Sequence, residues 1–180
     1  MTLENLKFPL GQFEMLTEIS APQLKNWIID IEELPEKLQT ITEKLFIEEL
    51  NYVYRPNGWN IKQVIHHLAD SHINSFTRFK LALTEEIPTI KPYQEHLWAE
   101  LIDGKSDEIV SSIFILKGIH TKWTLLLNSL TTEQLGRKYY HPENKKEHTL
   151  MEAIAMYAWH CNHHLAHIKQ ALEYKGEFEL

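Results

Sequence analysis

The chain has 180 residues, of which 43% are apolar and 24% are charged, and its formal net charge is −7. This balance is typical of a globular protein and predicts a single domain over residues 1–180. The acidic charge argues against nucleic-acid binding, and no apolar run reaches the ~18 residues of a membrane span. The single cysteine, Cys161, excludes a disulfide framework, and the N-terminus lacks the pattern of a signal peptide. We therefore expect a cytoplasmic protein that acts away from nucleic acids and membranes.

Four segments carry the apolar spacing of long amphipathic helices, and each begins at a capping signature. In chain order they cover residues 21–40, 60–83, 107–130 and 150–174. The expected N-caps are Ser20, Asn60, Ser106 and Thr149. Pro35 is expected to kink the first helix or to end its first half. Four long helices in one domain of this length predict an all-α fold, a four-helix bundle.

The connections between these helices are long for a bundle, which suggests that they have contacts or a function of their own. Residues 84–105 form the longest connection. Residues 41–59 are expected to hold a short helix from Thr42 to Leu50. Residues 131–148 combine a short helical start at Thr132 with a polar, hairpin-like tip, and no convincing strand pattern competes with the helices.

Histidines are the most informative residues of the sequence. Of 11 in the chain, four fall within eight residues of the last helix: His160, His163, His164 and His167. His160 and His164 are four residues apart, so their side chains leave the same helix face. His67 heads a polar stripe on the second helix that continues through Ser71, Asn74 and Arg78. If the two faces meet, three imidazoles would suit Zn²⁺, Ni²⁺, Co²⁺ or Fe²⁺ and leave a coordination position open. A solvated helix face or a pH-sensitive interface would show the same spacing.

Other residues near this pattern have simpler interpretations. His66 is expected to face solvent, and His163 is expected to lie on the surface. His72 falls in the apolar stripe and is expected to be a hydrogen-bonded core or interface residue. Cys161 lies in the apolar seam of the last helix and is expected to be a buried packing thiol. Asp70 could support a metal ligand or pair with a neighbouring helix.

Several motifs match one known family over nearly all of residues 7–175. They are KFPLGQF at 7–13, YRPNGW at 54–59, VIHHLADSH at 64–72, RFKLALT at 78–84, PTIKPY at 88–93 and YAWHCNHHLAHI at 157–168. With these motifs the chain resembles the DinB superfamily, and most closely its YfiT branch. The resemblance implies a four-helix bundle that assembles as a homodimer and holds one divalent metal per subunit, zinc first and nickel second.

The resemblance also implies the metal ligands, which fall on His67, His160 and His164. The first ligand of the family lies eight residues after the Trp of the Gly-Trp turn, which selects His67 over His66. His167 stands where the wider superfamily often has Gln, so it is not assigned as a ligand.

The activity implied by the resemblance is that of a metal-dependent hydrolase acting on a small molecule. The alternative is a metal-dependent S-transferase that uses a low-molecular-weight thiol of the bacillithiol type. A metal-bound water or thiolate would be the nucleophile, and the scarcity of carboxylate bases near the histidines favours the thiol slightly. Asn74 and Arg78 would hold a polar or anionic part of the substrate, unless Arg78 makes an ordinary ion pair. A non-catalytic metal-binding dimer, or a structural bundle with histidines at a subunit interface, is the remaining alternative.

Overall fold

Four long helices form the frame of the molecule in the computed structural model, which describes residues 2–179. In chain order the helices are α1 (Leu3–Lys7), α2 (Ala21–Thr42), α3 (Ile61–Thr84), α4 (Glu95–Trp98), α5 (Val110–Asn128), α6 (Thr132–Leu135) and α7 (Leu150–Tyr174). A 3₁₀ helix (Ile47–Asn51) precedes α3, and strands β1 (Lys138–His141) and β2 (Lys146–Thr149) precede α7. The predicted four-helix bundle is confirmed, and its long helices are α2, α3, α5 and α7.

Local capping chemistry explains where three of the long helices begin. The Ser20 hydroxyl accepts a hydrogen bond from the amide of Gln23 at the start of α2. Asn60 and Gln63 form a reciprocal capping box at the start of α3, and Thr149 does the same with Glu152 at α7. Such a cap satisfies amide donors that have no partner within the helix. These three predicted N-caps are therefore confirmed.

The prediction for the start of the third long helix is wrong by three residues. Ser106 accepts a hydrogen bond from the amide of Glu108 within the preceding turn, and α5 begins only at Val110. Of the two effects expected of Pro35, ending the first half of the helix is wrong, since α2 continues through Pro35 to Thr42. The expected short helix from Thr42 to Leu50 is replaced by the 3₁₀ helix.

Neighbour relations among the long helices give the bundle its topology. Helix α2 packs against α5 and α7, and α3 packs against the same two helices. Consecutive helices α2 and α3 therefore lie diagonally across the bundle rather than side by side. The core between the helices is apolar and includes the fully buried rings of Phe79 and Trp123, whose centroids are 5.3 Å apart at 70°.

The long connection after α3 is held by the β-hairpin. Strands β1 and β2 pair antiparallel from Lys138–Thr149 to His141–Lys146. The amide of Tyr140 donates to the carbonyl of Pro88 at 2.9 Å, and the amide of Ile90 donates to the carbonyl of Tyr140 at 3.0 Å. The connection therefore joins β1 through a single parallel β-bridge between Thr89 and Tyr140. Four-residue strands are too short to leave a periodic pattern, which is why the sequence indicated only a hairpin-like tip.

Within residues 2–179, no helix combines the length and apolar character that crossing a bilayer would require.

Candidate metal centre

Three histidines from two neighbouring helices converge at the interface between α3 and α7. His67 lies on α3, and His160 and His164 lie one turn apart on α7. One ring nitrogen from each lies within 4.8 Å of those of the other two. The two helix faces that the sequence could only place separately therefore meet.

The distances suit a small divalent cation. Nε2 of His67 lies 3.3 Å from Nε2 of His160. Two imidazole ligands of a tetrahedral zinc ion, each bonded at about 2.05 Å, place their nitrogens about 3.3 Å apart. Three ligands leave one tetrahedral position for a substrate or solvent molecule, as in catalytic rather than structural zinc sites. The residues present therefore fit a bound divalent metal.

Electrostatics keep these rings neutral, which is the form that binds a cation. Burial lowers the pKa of His67 to about 4. Burial, followed by neighbouring imidazoles, also holds the pKa values of His160 and His164 well below their usual range. Charged imidazolium is disfavoured because the pocket removes its hydration. A lone pair is therefore available on each ring near neutral pH.

The turn before α3 positions His67 by contact with Trp59. The Trp59 and His67 rings pack at 4.7 Å between centroids. Asn57 has a φ of 55°, and Gly58 follows it where an added Cβ would lie 2.7 Å from Cγ of Arg55. Glycine is needed at residue 58 because the turn brings the Arg55 side chain so close. The Gly-Trp motif thus delivers the indole to the metal centre.

A cavity of about 430 Å³ opens beside His160. We call it the site cavity; it is lined by Ser71, Arg78, Pro92, Tyr93, Gln94, Glu95, His96, His141, Glu143, Asn144, Met156, Tyr157 and His160. Its walls come from α3, α7, the connection 85–109 and the hairpin. The contribution of the connection and hairpin was not evident in the sequence, because no local pattern shows which loops will pack together.

The structure separates the two residues expected to bind substrate. Arg78 lines the site cavity, and within residues 2–179 it forms no ion pair. Its Nε is buried without a hydrogen-bond partner among these residues. Asn74 instead donates its side-chain amide to the carbonyl of Asp70 at 2.8 Å, and it does not line the site cavity as described.

Arg78 also gives this end of the cavity a positive potential. Burial lowers the pKa of His141, and the guanidinium of Arg78 lowers it further. The pKa of His148 is lowered by burial, by Lys146 and by Arg78 as well. Both shifts favour the neutral form of these two imidazoles beside the guanidinium.

Two expectations for other histidines are wrong. His66 is buried, with Nδ1 2.7 Å from Oγ of Ser112 and Nε2 2.9 Å from the carbonyl of Ser106. His163 is also buried and stacks on Trp159 at 4.3 Å between centroids. A helical wheel could not show this, because α5 and the N-terminal segment cover faces that would otherwise be exposed.

The expectations for His72 and Cys161 agree with the structure. His72 is fully buried and hydrogen-bonded in the core, and Cys161 is fully buried in the seam of α7. Burial raises the pKa of the Cys161 thiol, so the thiolate is disfavoured. Burial and the neighbouring Asp103 carboxylate raise the pKa of Asp70 to about 6.

Comparison with known proteins agrees with the fold. The protein named YfiT of Bacillus subtilis is 45% identical over 170 residues, which cover 94% of this chain and 96% of that protein. A relative from Halalkalibacterium halodurans is 45% identical over 166 residues, covering 92% of this chain and 96% of its own. Both names describe metal-dependent hydrolases. The solved structure of B. subtilis YfiT matches with a TM-score of 0.91 at 44% identity, over 97% of this chain and 99% of that one.

That solved structure is described as a probable metal-dependent hydrolase with an unusual four-helix bundle topology. The four long helices of this chain agree with a four-helix bundle. The model of the DinB superfamily matches residues 30–168, which include His67, His160 and His164. The chain belongs to the DinB superfamily.

Proposed function

We propose that this protein is a metal-dependent hydrolase that acts on a small molecule in the site cavity. One divalent cation per subunit, zinc first and nickel second, would be held by His67, His160 and His164. The observation that carries the proposal is the meeting of three imidazoles, buried at His67 and His164 and half-buried at His160, beside a cavity large enough for a small molecule. When bound, such a cation supplies Lewis acidity that lowers the pKa of a coordinated water or thiol. The names of the relatives support hydrolysis as the reaction.

Arg78 gives this proposal a substrate class. An arginine that lines a cavity without a carboxylate partner is suited to hold a carboxylate or phosphate through paired N–H donors. The substrate would therefore carry an anionic group that Arg78 binds. Asn74, whose amide is directed to its own helix, would contribute less than Arg78 to this binding.

Glu95 is the carboxylate that we propose as proton acceptor for hydrolysis. It lines the same cavity as His160, on the short helix α4. Partial desolvation raises the pKa of Glu95 above its usual value. A carboxylate that lines a substrate cavity can act as a general base. Replacing Glu95 with Gln would remove the proton-accepting carboxylate and keep a side chain of nearly the same shape.

A second reaction is favoured by the surroundings of the three histidines. Among the described residues their hydrogen bonds reach only other histidines, and no carboxylate contacts them. A thiol has an ordinary pKa near 8.5 and can be deprotonated without a protein base once a cation is close. An S-transferase using a low-molecular-weight thiol would form a sulfur–carbon bond and release the leaving group of its electrophile. This reaction would not need Glu95.

One set of assays separates these possibilities. Zinc-loaded protein without a His-tag would be assayed on activated esters and amides without thiol, and on alkylating electrophiles with and without a low-molecular-weight thiol. A hydrolase forms product without thiol and loses rate in Glu95→Gln. An S-transferase requires the thiol and is unchanged in Glu95→Gln. No turnover in either assay would favour a non-catalytic metal-binding protein.

We also infer a homodimer, which the family resemblance implies. Leu97, Leu101 and Ile102 are exposed apolar side chains of the long connection, and Ile102 is 92% exposed. Apolar side chains grouped in this way are typical of subunit interfaces. Sedimentation equilibrium of the wild type and of Ile102→Glu tests the inference: a dimer that the variant dissociates supports it, and a monomeric wild type contradicts it.

A further inference from the structure

We propose that two chains of hydrogen-bonded histidines, each ending on a main-chain carbonyl, fix the tautomers of His160 and His164 so that Nε2 of each faces the metal site without a proton. His120 and His72 form the first chain, and His167 forms the second. This proposal rests on the three-histidine site of the proposed function. It assigns His72, His120 and His167 as positioning residues, which act on the metal through the ligands.

The first chain begins at a carbonyl that a proline leaves free. In an α-helix the carbonyl of residue 31 accepts from the amide of residue 35, but Pro35 has no N–H. The carbonyl of Ile31 instead lies in hydrogen-bonding contact with Nδ1 of His120 on α5. A carbonyl can only accept, so the proton must be on Nδ1 of His120. Because Pro35 lacks an N–H, the carbonyl of Ile31 is free to be the acceptor at the end of this chain of histidines.

The position of the proton on His120 determines which ring nitrogen is protonated in His72 and in His160. A neutral His120 with its proton on Nδ1 has a bare Nε2, which lies 2.7 Å from Nδ1 of His72. His72 must then donate from Nδ1 and leave its Nε2 bare. Nε2 of His72 lies 3.2 Å from Nδ1 of His160, so His160 donates from Nδ1. The bare Nε2 of His160 is the atom that lies 3.3 Å from Nε2 of His67.

These assignments require each ring to carry one proton, and burial favours that state. His72 is 0% exposed and His120 is 2% exposed. Within residues 2–179 neither ring forms an ion pair or a hydrogen bond with a carboxylate. An uncompensated imidazolium at this depth would lose its hydration without gaining a counter-ion. The first chain therefore crosses all four long helices, from α2 through α5 and α3 to α7, as a series of neutral donors and acceptors.

The second chain ends on the other side of α7. The carbonyl of Lys7, at the C-terminal end of α1, lies 3.0 Å from Nε2 of His167. Carbonyls at a helix end have no partner within the helix, so this one is free to accept. His167 therefore carries its proton on Nε2 and leaves Nδ1 bare. Nδ1 of His167 lies 3.4 Å from Nδ1 of His164, which must then donate and leave its own Nε2 for the metal.

Fixing the tautomers prepares the site for a cation. Each metal ligand must present an unprotonated nitrogen, and the hydrogen bond at the other nitrogen decides which one it is. Loss of such a supporting hydrogen bond costs about 10- to 100-fold in metal affinity. We expect a cost of this size when the acceptor facing His160 is removed, while the three ligands remain in place.

A matched pair of substitutions at His72 tests the first chain. His72→Gln can keep an amide oxygen opposite Nδ1 of His160, whereas His72→Leu removes every acceptor there. Zinc affinity, measured by chelator competition on the full chain, is expected to fall about 10- to 100-fold in His72→Leu and to recover largely in His72→Gln. His66→Leu is the control, because His66 is buried on the same helix but bonds to Ser112 and Ser106 instead. Equal affinities for the wild type and both His72 variants would overturn the proposal.

Long-range ¹H–¹⁵N NMR of histidine-labelled wild type gives a readout that does not depend on any variant folding. Metal-free and zinc-loaded protein should both show the proton on Nδ1 for His72, His120, His160 and His164, and on Nε2 for His167. An Nε2–H signal from metal-free His160 or His164 would refute the proposal. Failure of the wild type to bind zinc would instead refute the metal site, and the tautomers would still be measured.

Discussion

The phenol ring of Tyr54 lies flat on the imidazole of His167, with the centroids 3.8 Å apart and the planes 15° from parallel. Tyr54 belongs to the turn that carries Trp59, and His167 lies on the helix that carries His160 and His164. Gln170 adds a hydrogen bond of 2.6 Å from its side-chain amide to the carbonyl of Tyr54. The turn before α3 is therefore fastened to α7 next to the metal centre.

This stack predicts different effects for two substitutions at Tyr54. Tyr54→Ala removes a buried aromatic ring and is expected to lower the free energy of unfolding by about 3 kcal/mol or more. Tyr54→Phe keeps the ring over His167 and is expected to cost less than about 1 kcal/mol, since the stack is retained. Urea denaturation of the metal-free proteins measures both values. Similar stabilities for the two variants would show that the stack contributes little.

Metal stoichiometry is the most direct check on the three-histidine site. His160→Ala and His164→Ala are each expected to lose the one divalent ion per chain that the wild type holds. His66→Ala is the matched control, because it removes a buried imidazole next to His67 in the chain whose ring bonds to Ser112 and Ser106 and not to the site. Elemental analysis of protein purified without a His-tag gives the metal content. Retention of a full equivalent in His160→Ala would exclude the site.

Burial of His120 predicts a specific pH dependence of folding. Its pKa is lowered by burial from 6.5 to about 4 in the folded protein. The unfolded chain therefore takes up this proton first as the pH falls. The contribution of neutral, buried His120 to the free energy of unfolding is fully present above pH 6.5. It is lost as the pH falls from 6.5 towards 4.

His120→Gln removes this titration while keeping a polar side chain. Between pH 6.5 and 4 the free energy of unfolding of the wild type should fall more steeply than that of the variant, by up to about 1.4 kcal/mol per pH unit. Above pH 7 the two curves should run parallel. Urea titrations with a chelator present measure them, and curves that stay parallel down to pH 4 would contradict the buried, neutral assignment.

Arg78 is expected to affect substrate binding and leave the metal site intact. Arg78→Gln should raise KM for an anionic substrate about tenfold or more, because it removes a charge-assisted pair of hydrogen bonds. Arg78→Lys keeps the charge but not the fork of donors, so an intermediate KM is expected. An uncharged analogue of the same substrate should show the same KM in all three proteins. Equal KM values for the anionic substrate would remove Arg78 from its recognition.

Cys161 should be inert in the folded protein. The thiol is fully buried and burial raises its pKa, so attack on a disulfide reagent requires unfolding. Ellman's reagent should release less than a tenth of an equivalent of thionitrobenzoate from native protein within an hour, and one equivalent in denaturant. Rapid reaction of the native protein would show that α7 opens readily.

The long helices could be predicted from the sequence because the patterns that mark them, such as capping pairs, are local. The capping pairs Asn60–Gln63 and Thr149–Glu152 lie within one helical turn, and their hydrogen bonds form as the pattern predicts. Pro35 shows the limit of such reasoning. Whether a helix tolerates an internal proline depends on which donor binds the carbonyl that the proline leaves without a partner. Here the donor is His120, which lies 89 residues after Ile31 in the chain.

The three histidines of the metal centre could be predicted from the sequence, because helical spacing is a local signal. The site cavity could not be predicted. Helical spacing placed His160 and His164 on one face, and the family resemblance selected His67 as their partner. The cavity depends on the contact between Tyr140 and residues 88–90, which no periodicity indicates. His66 and His163 were misplaced because their covering segments lie far away in the chain.

The diagonal placement of α2 and α3 has a consequence for the order in which the chain can fold. Helix α2 packs mainly against α5 and α7, so most of its apolar face stays unpaired until segments far along the chain have formed. Folding routes that depend on such distant contacts are slow, because a long stretch of chain must be ordered first. During synthesis α7 is the last long helix to emerge, and it carries two of the three metal-binding histidines. A growing chain therefore cannot complete the metal centre before it can complete the bundle.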